Sequence, residues 1–316
     1  MSRSHGIDIA TNAGKVIVRH GVVILPEATW AEAAERWQRA EAVGFQHAWT
    51  FDHLGWRWLR EATWFAALPT LTAAAGVTHR IRLGTLVASP NLRHPLTFAK
   101  EMMTLDDISS GRAICGIGAG ADGYDTEVFG GSRLAPPDRA TRFAEFVELT
   151  DLLLRQPETT YLGRHYQAKA AQMRPGCVQR PRVPIAIAAC GRHGMRLTAR
   201  SAQIWVTNGL PGRFEHRRFD QAAATLREQL GRLEEACAAE GRDPASLDRL
   251  VLAGIQIGGV LASRDAFADA EGMFAELGFT DMVVPWPRPD FPFAGRPEIL
   301  DEIAPLMSRA ASDRTR

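Results

Sequence analysis

The chain has 316 residues, 46% hydrophobic and 23% charged, a composition that excludes a disordered or fibrous protein. Lysine and arginine total 37 against 36 aspartates and glutamates, so the formal charge is +1 and we expect neither nucleic acid nor a membrane as partner. The sequence contains no run of about 18 apolar residues, so no membrane span is expected. Residues 1–20 lack the apolar core of a signal peptide. The four cysteines form no C-x-x-C pair, which favours reduced thiols in a cytoplasmic protein and predicts no metal site.

Short β-branched runs alternate with amphipathic stretches of helical length along the chain. The first unit is a strand over 16–25 and a helix over 30–43, which Gly44 ends as a C′ glycine. The other predicted strands cover 46–51, 80–88, 112–117, 183–189, 203–207, 249–257 and 280–285. The other predicted helices cover 62–75, 95–108, 138–155, 193–201, 219–240, 264–277 and 297–310.

Strands that alternate with helices predict a parallel sheet covered by helices, an α/β protein. Eight such units predict a single closed (β/α)8 TIM-type barrel over residues 16–316 rather than an open sheet. Residues 1–15 would precede it as an N-terminal arm. Long connections over 156–182 and 208–219 are expected to be inserted loops with a functional or interface role.

Active sites of such barrels lie at the C-terminal ends of the strands, where Asp52 and His53 follow the second predicted strand. Neutral imidazole can donate or accept a proton near pH 7, and a nearby carboxylate fixes its tautomer. Asp52 and His53 are therefore candidate catalytic residues, although the histidine could instead brace the loop. Several tryptophans, including Trp56 and Trp58, crowd this loop, either as core residues or as an apolar wall for a flat ligand.

Two glycine-rich segments follow later strands. The segment from Gly118 to Gly123 matches G-x-G-x-x-G, but 124–137 are predicted to be a loop rather than the helix that a dinucleotide fingerprint requires. Its glycines indicate close backbone approach to a ligand or to a neighbouring strand. In the segment 191–194, Arg192 and free backbone N–H groups at a helix start suit a phosphate, with an ordinary glycine turn as the alternative.

Other polar residues have simpler interpretations. The segment Arg93-His94-Pro95 is predicted to be structural, because Pro95 would occupy the first turn of the next helix. Arg174, Arg180 and Arg182 lie scattered over the long connection 156–182 and are predicted to be solvated.

Five segments, in their order and spacing, resemble the bacterial luciferase-like flavin and deazaflavin oxidoreductases over nearly the whole chain. They read AEAVGFQHAWTFDHL, RIRLGTLVASPNLRHP, AKEMMTLDDISSGRAICGIGAG, RFAEFVELTDLLL and PIAIAACGRHGMRLTARSAQIWVTNG. The resemblance implies a TIM-type barrel that binds FMN or the deazaflavin coenzyme F420, with the ring at the strand C-termini beside Asp52 and His53. The histidine matching His53 is the proton-transfer residue of the F420-dependent dehydrogenases, but the luciferase branch also has a histidine there.

The resemblance also implies the cofactor contacts. A non-prolyl cis peptide is expected at Leu86-Val87, where family members bulge against the ring. The expected cofactor-binding residues are Thr85, Leu86, Val87, Gly118, Gly120, Ala188, Ala189, Gly191, Arg192, Gly194, Thr207, Asn208 and Gly209. One position departs from the pattern: the sugar-phosphate dehydrogenases carry a catalytic glutamate where this chain has Ala121, which weighs against sugar-phosphate oxidation.

These observations favour an F420-dependent oxidoreductase that transfers a hydride between the deazaflavin and a small organic substrate. The alternative is an FMN-dependent monooxygenase that uses reduced flavin and O2. A third possibility is a non-catalytic flavin-binding barrel, against which the retained Asp52 and His53 argue.

The resemblance further implies a homodimer. Helices 62–75 and 95–108 carry more large apolar residues than one buried stripe needs, so they are expected to form the interface unless the N-terminal arm covers them. The residues concerned are Trp64, Phe65, Leu68, Leu71, Phe98, Met102, Met103 and Leu105.

Overall fold

The computed structural model describes residues 17–131, 133–209, 219–255 and 257–312, without the side chains of 219–220 and 308–312. The predicted N-terminal arm and most of the connection 208–219 therefore lie outside the described residues. The strands are β1 (Arg19–Val23), β2 (His47–Thr50), β3 (Arg82–Thr85), β4 (Ala113–Gly118), β5 (Glu158–Leu162), β6 (Gln167–Gln172), β7 (Ile185–Ala188), β8 (Ile204–Thr207), β9 (Asp248–Leu252) and β10 (Asp281–Pro285).

Eight of these strands close into a parallel barrel in the order β1, β10, β9, β8, β7, β4, β3, β2. The α-helices are α1 (Trp30–Val43), α2 (Ala67–Val77), α3 (Pro95–Ile108), α4 (Tyr124–Val128), α5 (Pro136–Arg155), α6 (Arg192–Ser201), α7 (Phe219–Ala239), α8 (Arg264–Glu276) and α9 (Ile299–Ser312). Strands and helices alternate along the chain, so the predicted TIM-type barrel is confirmed.

Each barrel strand divides its side chains between two apolar layers, because successive residues of a strand point to opposite faces. In β1 and the residues after it, Val22 and Ile24 pack between the sheet and the helices. Val23 and Leu25 belong instead to a smaller cluster that also contains Trp49, Ile114 and Val283, inward residues of other strands. The core is therefore a filled barrel surrounded by a helix-covered outer layer.

The helix signals in the sequence account for the best-predicted elements. The N–H of Thr29 donates to Oε2 of Glu32 at 3.2 Å at the start of α1, and the predicted Gly44 ends the helix with φ 109°. Pro95 lies in the first turn of α3 as predicted, and His94 Nδ1 accepts a hydrogen bond from the N–H of Leu96. These caps explain why the predicted limits of both helices agree with the structure.

Two segments contain regular structure that the sequence did not predict. Residues 124–137 are not wholly a loop, because α4 begins directly after Gly123. The connection 156–182 contains the antiparallel hairpin of β5 and β6, which stands apart from the barrel. Most residues of both hairpin strands are exposed or half-exposed and polar, so no alternating apolar pattern marked them.

A buried polar network lies at the opposite end of the barrel from the strand C-termini. Arg19 donates to both carboxylate oxygens of Asp281, at 2.7 and 2.5 Å, across the seam between β1 and β10. His47 accepts from Trp49 Nε1 at its Nδ1 and donates from Nε2 to Asp281 at 3.0 Å. Burial acts to raise the pKa of Asp281, but hydrogen bonds from His47 and Arg19 hold it well below its usual range.

The prediction that Arg182 is solvated is wrong. Its side chain is 1% exposed, and its Nε donates to Asp151 of α5 at 2.5 Å. The remaining N–H groups donate to the side chain of Gln203 and to the carbonyls of Val183 and Ser201. An arginine tolerates such burial because each of its three side-chain nitrogens donates to an acceptor. Arg174 and Arg180 are exposed as predicted.

Most of the large apolar residues on the second and third helices are buried within this chain. Of the residues expected at a dimer interface, only Phe65 is well exposed, at 44%. Those buried in this chain are Leu68, Leu71, Phe98, Met102, Met103 and Leu105. The sequence argument for an outward apolar face on these helices is therefore wrong, and the homodimer stays a prediction from the resemblance.

All four cysteines are free thiols. Burial raises the pKa of Cys115 to about 12. Among the described residues, no helix is long and apolar enough to cross a bilayer.

We predict that Arg182→Ala lowers the free energy of unfolding by about 3–5 kcal/mol, because it removes one partner of a buried ion pair and leaves several buried acceptors without a hydrogen bond. Arg174→Ala is the matched control, since this exposed arginine makes one hydrogen bond at 3.4 Å, and it should change stability by less than about 0.5 kcal/mol. Urea unfolding of both variants provides the comparison. Equal losses would contradict a structural role for Arg182.

Candidate functional site

A cavity of about 1340 Å³ opens at the C-terminal ends of the barrel strands. Segments that follow β2, β3, β4, β7, β8 and β9 contribute to its wall, as do α5 and α6. This is the position at which (β/α)8 barrels carry their active sites. The cavity is therefore the candidate active site.

His53 follows β2 and lines this cavity with a side chain that is 33% exposed. Its Nδ1 donates to Oδ2 of Asp125 at 2.6 Å. The other oxygen of Asp125 accepts from the backbone N–H of Leu54 at 2.9 Å, which ties the carboxylate to the same loop. Because a carboxylate accepts the Nδ1 proton, Nε2 is left as the atom through which His53 can exchange a proton.

Asp52 does not form the predicted pair with His53. Its carboxylate is 1% exposed and accepts two hydrogen bonds from Arg93, at 2.9 and 2.7 Å. Burial acts to lower the pKa of Arg93, but the hydrogen bond and charge of Asp52 outweigh it and raise the value. The Asp52–Arg93 pair instead joins the loop after β2 to the loop before α3, and the predicted structural role of Arg93 is confirmed.

Asp125 is the residue that sequence reasoning missed. It lies on α4, 72 positions after His53, in a segment that was predicted to be irregular. The available signal was the acidic first turn after Gly123, because Asp125 and Glu127 both fall at the start of a short helix. That pattern indicates a helix start, but it does not indicate which side chain the carboxylate will contact.

The ends of β3 and β4 form a closely packed backbone surface beside His53. Leu86 and Val87 line the cavity, and the peptide bond between them is cis, as the resemblance implies. A Cβ at Gly118 would lie 2.7 Å from Cγ2 of Val87, so a larger residue there would require the Val87 side chain to shift. The predicted cofactor residue Thr85 is buried below this surface and donates to the carbonyl of Gly116 at 2.6 Å.

Asn91 anchors the glycine loop after β4. Its Nδ2 donates to the carbonyl of Ala121 at 2.8 Å, and its Oδ1 accepts from Arg142 of α5. Gly120 has φ +72°, a conformation that favours glycine, and a Cβ there would lie 2.7 Å from Asn91 Nδ2 and displace this side chain. This loop leads directly into α4, so the contact with Asn91 helps to hold the element that carries Asp125.

The far end of the cavity is cationic. Gly191 caps the N-terminus of α6, and a Cβ added there would meet no atom within 4 Å. Arg192, Arg196 and Arg200 follow at helical spacing and all line the cavity. Backbone N–H groups and guanidinium groups together make this end a suitable site for an anionic group. The other predicted residues here that line the cavity are Ala188, Ala189, Gly194 and Asn208.

Thr207 and Gly209 do not line the cavity and are engaged elsewhere. Thr207 Oγ1 donates to Oε1 of Gln229 on α7 at 2.6 Å and accepts from the N–H of Gly209. Gln229 Nε2 in turn donates to the carbonyl of Gly209 at 2.7 Å. These contacts join the end of β8 to α7 and leave Asn208 facing the cavity between them. Among the described residues, no cluster of three or more His, Cys, Asp or Glu side chains could hold a metal ion.

Fold and site position together define a (β/α)8 barrel with a candidate active site at the C-terminal ends of its strands. The family model of luciferase-like monooxygenases matches residues 15–266, and the chain belongs to this family. An uncharacterized protein of Mycobacterium tuberculosis is 30% identical over 219 residues, which cover 69% of this chain and 68% of the relative.

The chain is also similar to two F420-dependent enzymes, one in sequence and one in structure. An F420-dependent glucose-6-phosphate dehydrogenase of Beutenbergia cavernae is 33% identical over 219 residues, or 67% of this chain and 60% of that protein. The structure of an F420-dependent secondary alcohol dehydrogenase in complex with an F420–acetone adduct matches with a TM-score of 0.76 at 17% identity, covering 93% of this chain and 99% of the other. The second similarity supports the fold alone.

We predict that Asp125→Asn changes the ring tautomer of neutral His53, because the amide no longer supplies a charged acceptor for the Nδ1 proton. In the unsubstituted protein the Nδ1–H form should dominate, and ¹⁵N NMR of the ring nitrogens distinguishes the two forms. Asp122→Asn is the matched control, since this carboxylate also lines the cavity but pairs with Arg133 and Arg139. An unchanged tautomer mixture in Asp125→Asn would contradict the assignment.

Proposed function

We propose that this chain is an F420-dependent oxidoreductase in which His53 handles the proton that accompanies hydride transfer to or from a small organic substrate. The observation that carries the proposal is the hydrogen bond from His53 Nδ1 to Asp125, which leaves Nε2 at the wall of a large cavity. A titratable group held in one tautomer at the rim of a barrel is the arrangement that general acid–base catalysis needs.

The residues of the cavity fit a planar cofactor that carries an anionic group. Leu86, Val87 and Gly118 would support the ring, because they form an apolar and closely packed surface next to His53. Ala188, Ala189 and Asn208 would border the chain that leaves the ring, together with Gly120 of the glycine loop. When bound, the deazaflavin supplies a ring carbon that accepts or releases a hydride.

The phosphate of the cofactor would bind at the start of α6. Gly191 leaves open space beside the first backbone N–H groups, Gly194 is the third residue of the helix, and Arg192 adds a guanidinium. A charge-assisted hydrogen bond of this kind stabilises a bound anion by about 1.5–3 kcal/mol.

His53 would act through Nε2 in both directions of the reaction. When the substrate is oxidised, Nε2 accepts a proton from it, and the resulting imidazolium is stabilised by the charge of Asp125. When the substrate is reduced, the same atom returns the proton. Asp125 is a positioning residue here, because both oxygens of its carboxylate are engaged by hydrogen bonds, one to His53 and one to the N–H of Leu54.

One observation favours F420 over FMN, the cofactor of the alternative monooxygenase. Arg200 lies two turns beyond Arg192 on α6 and lines the cavity. Arg196, one turn beyond Arg192, also lines the cavity, but its guanidinium pairs with Glu240 at 2.8 Å. FMN carries a single phosphate, whereas F420 carries carboxylates beyond its phosphate. Positive charge that extends past the helix N-terminus therefore suits the longer anion.

We predict that His53→Ala lowers F420-linked turnover by about 10²–10⁴-fold while the dissociation constant of F420 stays within a few-fold of its original value. The reason is that His53 moves a proton but contributes little of the surface that binds the cofactor. Steady-state kinetics and fluorescence titration measure the two effects separately. The control is His79→Ala, which alters an exposed histidine after α2. Unchanged turnover in His53→Ala would remove this residue from the mechanism.

A further inference from the structure

The two ends of the cavity differ in chemical character. The end beside α6 carries the row of arginines, whereas one wall of the end beside His53 is apolar. The apolar wall consists of Phe51, Trp56, Leu86, Leu252 and Ile255, which line the cavity and belong to one hydrophobic cluster inside the barrel rim. Each of these side chains is at most 8% exposed.

Aromatic contacts make this wall continuous from His53 to the surface. Phe51 meets the ring of His53 edge-on at 6.4 Å and packs against Trp56 at 4.9 Å. Trp56 is stacked on Phe293 at 5.8 Å, and Trp58 meets Phe291 at 4.9 Å further out. Such arrangements stabilise ring positions beyond simple area burial, so the wall is a preformed surface.

The loop that carries Phe293 is itself anchored. Arg288 donates to both carboxylate oxygens of Glu27, at 2.8 and 3.0 Å, and to the carbonyl of Pro292 at 2.7 Å. These bonds join the residues after β10 to those after β1. Phe293 is thereby held behind Trp56, which stabilises the apolar wall from outside the cavity.

Charged residues also line the cavity at this end, but they do not belong to the apolar cluster, and Glu127, like the arginines of the rim, is exposed. Asp125 is bonded to His53 and Leu54, while Arg57 and Arg60 lie on the exposed 3-10 turn at the rim. A charged group pressed against the wall would lose its hydration without gaining a partner there, which is costly. An apolar group would instead gain the free energy of leaving water.

We propose that the substrate is an uncharged and mainly apolar molecule whose hydrocarbon or aromatic part packs against Phe51, Trp56, Leu252 and Ile255. This inference rests on the proposed function, because it takes the end beside His53 as the place of reaction. The cofactor then supplies the anionic group that binds at the α6 end. The substrate places no charged group against the apolar wall.

The test measures binding without cofactor or turnover, so its result does not depend on whether F420 is the cofactor. The neutral fluorescent probe N-phenyl-1-naphthylamine is titrated into the purified protein. Displacement is then compared for 1-naphthol and 1-naphthyl phosphate, which share one ring system and differ in charge. We expect saturable probe binding, perturbation of the His53 ring signals in NMR, and displacement by 1-naphthol at a concentration at least about tenfold lower than by the phosphate.

Two variants locate the probe on the apolar wall. Trp56→Ala and Ile255→Ala should each weaken probe binding, the first by about tenfold or more because it removes the largest side chain of the wall. If Trp56→Ala does not fold, the loss of probe binding is measured with Ile255→Ala alone. Phe129→Ala is the matched control, since this phenylalanine is 62% exposed and lies outside the cavity lining.

Three results of the binding experiment would overturn the inference. They are no saturable binding of the probe, tighter displacement by the phosphate than by 1-naphthol, and probe binding that leaves the His53 signals unchanged. F420-linked turnover that accepts only phosphorylated substrates would also overturn it while leaving the proposed function intact. Conversely, probe binding as expected in a protein that does not bind F420 would contradict the proposed cofactor but not the apolar site.

Discussion

Closure of a parallel barrel is the constraint on which the rest of this structure depends. Because all eight barrel strands run in the same direction, their carboxyl ends meet at one rim, and β1 must pair with β10 to complete it. Arg19, His47 and Asp281 form a hydrogen-bonded network at the opposite end of this seam. The buried charges of this network, which stabilise the fold, thus lie at the opposite end of the barrel from His53, the residue to which we assign proton transfer.

The same constraint assembles the candidate site from distant parts of the sequence. His53 follows β2 and Asp125 lies on the helix after β4, so their contact spans two strand–helix units. Loops on neighbouring strands can supply a proton-transfer residue and its orienting carboxylate separately, because the barrel brings both to one rim. The cationic start of α6 lies across the cavity, and the two ends together can receive a ligand with an apolar ring and an anionic tail.

Local sequence patterns predicted the barrel well but predicted side-chain contacts poorly. The limits of α1 and α3 agree with prediction because periodicity, Gly44 and Pro95 all act within a few residues. Asp52 and His53 were paired because they are adjacent, yet successive residues of an extended chain point to opposite sides. Asp52 is consequently buried against Arg93, while His53 faces the cavity.

Two other errors have the same physical origin. Arg182 was predicted to be solvated because it is one of several arginines scattered over a long connection. Its acceptors come from residues as far apart as Asp151 and Gln203. The apolar residues on α2 and α3 were assigned to a partner because the sequence does not show how much of each helix the barrel covers. In each case the burial of the residue depends on contacts with parts of the chain outside its own segment.

The most direct measurement is an equilibrium titration of the purified protein with F420 and with FMN, followed by spectroscopy of each bound cofactor. We predict saturable binding of F420 with micromolar or tighter affinity and FMN binding weaker by at least about tenfold, as expected for loss of one charge-assisted contact to the tail. Tight binding of FMN without binding of F420, together with an oxygen adduct of the reduced flavin, would contradict it.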